Sequence, residues 1–83
     1  MGIISTYKLK DNIKKELLLE IAKIATETEI FISTIQRKLS VGFACATKHL
    51  EWLLDNQFAI KTENNTYIIS NEQYNKLNQC DFI

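Results

Sequence analysis

Two short segments with helical apolar spacing, 33–39 and 43–56, are separated by nothing more than Ser40-Val41-Gly42. With so short a break between them, the two helices make a helix–turn–helix. Ser33-Thr34-Ile35-Gln36 has the form of a capping box, in which the Ser hydroxyl and the Gln amide satisfy early backbone donors reciprocally. Ile35 and Leu39 then face inward, and Gly42 is expected to supply the left-handed conformation of the tight turn. Phe43, Ala46, Thr47, Leu50, Leu53 and Leu54 fall on one stripe of the second helix, which is predicted to end near Asn56.

The flanking sequence completes an α+β pattern. Ile13, Leu17, Leu18, Ile21, Ala22, Ile24 and Ala25 recur at spacings of three and four, with Glu16, Glu20, Lys23 and Glu27 opposite them. Asp11 or Asn12 is the expected cap of that helix. Residues 1–10 alternate as a short strand or an extended arm. Downstream, Phe58-Ala59-Ile60-Lys61-Thr62 and Thr66-Tyr67-Ile68-Ile69 are β-prone runs joined by Glu63-Asn64-Asn65, and Asn readily takes positive φ. They predict a β-hairpin. Ser70-Asn71-Glu72-Gln73 is a second capping box, opening a short last helix anchored by Tyr74 and Leu77. A helix–turn–helix followed directly by a hairpin is a winged helix–turn–helix: arm, three helices, β-hairpin wing and short C-terminal helix.

With 83 residues, 46% of them apolar and 24% charged, the chain is predicted to form one domain, 1–83, of ordinary globular composition. No apolar run approaches the roughly 18 residues that span a bilayer, and the first residues lack a secretory pattern. A cytoplasmic protein without a membrane partner is expected. Cys45 and Cys80 stand 35 positions apart, and His49 is the single histidine. Cys45 and His49 share a helical face, but two further ligands are wanting, so no metal and no cofactor are expected. Neither a Gly-rich phosphate loop nor a nucleophile elbow is present, so an enzyme is not expected.

The stretch Ile32-Ser33-Thr34-Ile35-Gln36-Arg37-Lys38-Leu39-Ser40-Val41-Gly42-Phe43, with Ala46, Leu50, Trp52-Leu53-Leu54 and Phe58-Ala59-Ile60, resembles a known family. It is similar to the C-terminal gamma domain of the FtsK DNA translocases, a winged helix that reads orienting sequences on the chromosome. The shared features are the capped Ile-Gln-Arg-Lys-Leu helix and the Val-Gly-Phe turn leading into the next helix. The resemblance covers roughly 30 residues closely and implies binding to double-stranded DNA. Where that family presents an Asn-Arg pair after the aromatic, this chain has Ala44-Cys45, and Lys48 stands near the later basic position. A different DNA word is implied. The short format with an N-terminal arm is also similar to TcpK-type winged-helix proteins of conjugative plasmids, which bind repeats at the origin of transfer (oriT). That resemblance implies an accessory role in the relaxosome, alongside a relaxase or a coupling ATPase.

A formal net charge of zero conceals an uneven arrangement. No acid occurs from Ile30 to Leu50, where Arg37, Lys38 and Lys48 stand, while acids predominate in 16–29 and 51–83. The third helix presents Ala44, Cys45, Lys48, Glu51, Trp52 and Asp55 outward by periodicity, with His49 as a further polar group, which is a poor set for reading bases. The wing therefore takes much of the recognition, through Lys61, Asn64, Asn65, Thr66 and Tyr67. Arg37, Lys38 and Lys48 hold phosphates, with Lys8 and Lys10 of the arm as additions. So few cations favour a homodimer on repeated half-sites, with Ile3, Ile4, Tyr7, Trp52, Phe82 and Ile83 at the contact. In the competing view these residues pad the monomer's own core. A small transcriptional repressor and a protein-interaction winged helix are the rival functions.

Overall fold

A computed structural model describes residues 6–9 and 12–82. The element order is β1 (Thr6–Tyr7), α1 (Lys15–Glu27), α2 (Ile32–Leu39), α3 (Phe43–Asp55), β2 (Ile60–Lys61), β3 (Tyr67–Ile68), α4 (Asn71–Gln79) and β4 (Asp81–Phe82). The described residues thus form a small α+β fold of four helices with an antiparallel hairpin. Leu18, Ile21, Ala22 and Ala25 of α1 meet Ile35 of α2, Ala46, Leu50 and Leu53 of α3, Ile69 and Leu77 in one apolar cluster. The wet face of α1, Glu16, Glu20, Lys23 and Glu27, is exposed as its spacing predicts.

The helix starts differ from expectation in two places. Asn12 does not cap α1: it takes a positive φ of 74°, the helix begins at Lys15, and the N-cap Lys14 makes no side-chain cap bond. Asp11 lies outside the described residues. Likewise Ser33 sits inside α2, whose N-cap is Phe31, again without a side-chain cap bond. The cause is tertiary. Ile30 forms a bridge to Tyr67, with N–H to carbonyl distances of 3.0 and 2.8 Å in the two directions, so the chain leaves that pairing at Phe31 and coils at once. Ser70, by contrast, caps α4 as read, its hydroxyl oxygen accepting from the Gln73 N–H at 3.1 Å.

The turn between α2 and α3 lies where it was expected, but its left-handed residue is Ser40 (φ 54°), not Gly42 (φ −77°). Gly42 instead is the N-cap of α3. The hairpin pairs Ile60 with Ile68 and Lys61 with Tyr67. Its loop closes through Thr62 N–H to Thr66 carbonyl (2.8 Å) and Asn65 N–H to Thr62 carbonyl (3.1 Å), with Asn65 at φ 62°. A three-residue loop ending on a left-handed residue matches strand twist without glycine. Ile30 extends the hairpin to a third short rung.

The strand-like residues near the start pair in parallel with the end of the chain, Thr6 with Asp81 and Tyr7 with Phe82. Tyr7, Trp52, Phe58 and Phe82 form an aromatic cluster, with Trp52 stacked on Phe58 at 5.9 Å and Tyr7 edge-on to Trp52 at 5.5 Å. Trp52 is therefore not on an outward face: it is 8% exposed, and Tyr7 and Phe82 pack against it within one chain. Ile3, Ile4 and Ile83 lie outside the described residues. No described helix is long and apolar enough to cross a membrane.

Candidate nucleic-acid interface

Arg37 and Lys38 occupy the last turn of α2, where cations also complement the helix dipole. Both side chains are exposed, and so is Lys48 midway along α3. α2 and α3 pack on each other, so these three cations belong to adjoining elements. Among the described residues the salt bridge formed is Lys76 to Glu72 at 3.8 Å, and neither Arg37, Lys38, Lys48 nor Lys61 has such a partner. Lys8 is exposed, and Lys10 lies outside the described residues.

At the wing the expected set divides. Lys61, Asn64 and Asn65 are exposed, whereas Thr66 and Tyr67 are buried, against the expectation for both. Thr66 has no exposed surface, and its hydroxyl is paired with that of Thr62. The Thr62 hydroxyl oxygen also accepts from the Asn64 and Thr66 N–H groups, so the two threonines build the loop from within. Tyr67 is held inward by its rung with Ile30. The Lys61 ammonium lies 5.9 Å from the Tyr67 ring centroid, a cation–π distance that steadies the lysine stem along the strand.

α3 also departs from its sequence reading at both ends of the polarity scale. His49 is fully buried and is removed from the outward set. Its Nε2 accepts from the Lys14 N–H at 3.0 Å, which makes Nδ1, 2.7 Å from the Cys45 carbonyl, the protonated nitrogen. The Cys45 sulfur is 3.8 Å from the same Nδ1. Phe43, placed in the buried stripe by spacing, is 62% exposed. At the first helical position the stripe has run past its neighbours in the core, a fact periodicity does not register. Among the described residues Phe31, Ile60 and Ile68 are the other large apolar side chains in water, an exposure that the sequence patterns do not register. Ile60 and Ile68 are cross-strand partners, so the wing has one apolar outer face. No family model, curated protein or solved structure matches the chain.

Proposed function

We propose that this chain is a winged helix–turn–helix protein that binds double-stranded DNA in a sequence-specific way. In this reading it is an accessory factor at repeats of a mobile-element origin, and wing and helix–turn–helix divide the work. The observation that carries the reading is the stretch from Ile30 to Leu50, which holds no acid and whose cations Arg37, Lys38 and Lys48 are exposed and unpaired by described acids. A polyanion is the natural complement of such a surface. Lys61, Asn64 and Asn65 on the hairpin tip supply donors for phosphates or groove edges. The rung between Ile30 and Tyr67 supports the winged-helix reading, because it ties the hairpin to the start of α2. The transfer role itself is supported by the sequence resemblance alone.

The test is a salt titration of binding to a mixed duplex pool, followed by sequencing of fragments retained from the source replicon. Binding that weakens steeply with salt, with retained fragments sharing a repeat, supports the reading. Absence of retention even in dilute buffer overturns it. Retained fragments lying in a promoter of the chain's own operon would make it a repressor instead. A protein-interaction role is favoured by one observation, the apolar outer face of the wing at Ile60 and Ile68. Replacing Ile60 with Asp separates the two. A DNA-binding wing loses affinity for duplex, whereas a protein-docking one keeps it.

A further inference from the structure

The leading half of α3 carries no hydrogen-bonding reader except Lys48, yet it is far from featureless. Phe43 is 62% exposed at the first helical position. Ala44 follows it, also exposed. Thr47, one turn on from Phe43, is half-buried, and its hydroxyl is buried without a hydrogen-bond partner, so this residue does not offer a hydroxyl outward. Phe, Ala and the Thr methyl are the side-chain groups that make apolar contact with the C5-methyl of thymine in the major groove. Cations stand on the same and the adjoining helix: Lys48 on α3, and Arg37 and Lys38 on the helix packed against it, with Glu51 the first acid of α3, one turn beyond Thr47. Glu51 and Asp55 lie in the trailing half, away from the end that a helix–turn–helix points at base edges.

We infer that α3 recognises DNA through thymine methyl groups, with Phe43 as the principal specificity-determining residue and Ala44 and Thr47 beside it. The inference rests on the DNA-binding reading above and extends it. An apolar patch with cations on its own and the adjoining helix fits a surface that is itself apolar between rows of anions, and the methyl-lined major groove of a T-rich step is one. It also accounts for a recognition helix with so few donors: selectivity comes from shape and methyl burial, while the lysines and arginine set the register on phosphates.

The experiment compares the best-bound duplex from a random pool with the same duplex synthesised with deoxyuridine in place of thymidine, which deletes only the methyl groups. The parent protein is expected to bind the uracil duplex about three- to fivefold more weakly for each methyl contacted. Phe43→Ala is expected to bind the uracil duplex as the parent does and to lose most of the preference for thymine. Circular dichroism verifies its fold, and Thr47→Ser, which removes one methyl, serves as a second probe expected to reduce the preference in part. Lys48→Ala is expected to weaken both duplexes alike. If the parent binds both duplexes equally, or if Phe43→Ala and Thr47→Ser both retain the full preference, the inference is overturned while DNA binding stands. If the parent binds neither duplex, the DNA-binding reading falls with it.

Discussion

His49 uses both ring nitrogens on backbone groups from different parts of the chain, the Lys14 N–H and the Cys45 carbonyl, and has no exposed surface. It therefore acts as the missing cap of α1, supplied from α3. His49→Leu keeps an apolar side chain in place but strands the Lys14 donor, and is expected to cost about 1–3 kcal/mol in urea unfolding. Cys80 offers a second test. Burial, and then the nearby Asp81 carboxylate, push its thiol above the ordinary value of 9.0, and the thiol donates to the Lys76 carbonyl at 2.9 Å. Because the folded state favours the protonated thiol, this contribution is complete below pH 9.0 and is lost as pH rises beyond it. The urea midpoint of the parent should fall more between about pH 8 and about pH 10 than that of Cys80→Ala, the other titrating groups being common to both.

At the level of elements, the turn between α2 and α3 shows how a correct boundary can rest on the wrong residue. Ser40, in the left-handed region at φ 54°, carries a steric cost that glycine lacks, whereas Gly42 at φ −77° needs no such freedom. A Cβ at Gly42 would meet nothing within 4 Å. Ser40→Gly is expected to raise stability by about 0.5–1 kcal/mol, the relief of strain exceeding the added chain entropy. Gly42→Ser, which adds an N-cap oxygen to α3, should be neutral or gain a few tenths of a kcal/mol. Thermal melts of the two variants decide the matter, since a positive-φ requirement at Gly42 would make the second clearly destabilising. The hairpin and α4 were legible because their signals are local: Asn residues that accept positive φ and a serine three residues before Gln73.

For the molecule as a whole, zero net charge and DNA binding are compatible because the acids are segregated from the stretch between Ile30 and Leu50. If Arg37, Lys38, Lys48 and Lys61 each neutralise one phosphate, the plot of log affinity against log salt should have a slope of about −3 to −4 per chain. Alanine at any one of them should reduce that slope by about 0.9, whereas Lys76→Ala, on the α4 residue paired with Glu72, should leave it unchanged. The aromatic cluster bears on assembly. Tyr7, Trp52 and Phe82 satisfy one another inside a single chain, where Lys15 also lies 5.6 Å from the Phe82 ring centroid. Among described residues the apolar surface left over is instead at Phe31, Phe43, Ile60 and Ile68.

What the amino-acid order determined by itself is the succession of helices and hairpin, because apolar spacing, turn residues and the Ser70 cap act over a few neighbouring positions. Exposed lysines, arginine and asparagines of the candidate site were also readable, since long polar side chains stay in water unless something pairs them. Tertiary structure alone decided where α1 and α2 begin, which way Trp52, Phe43, Thr66 and Tyr67 lie, and that His49 is a structural tie. Several of those depend on a partner remote in sequence: Lys14 for His49, Ile30 for Tyr67, Tyr7 and Phe82 for Trp52. Periodicity tells which side of a helix is apolar, but only the packed neighbours determine whether that side is covered.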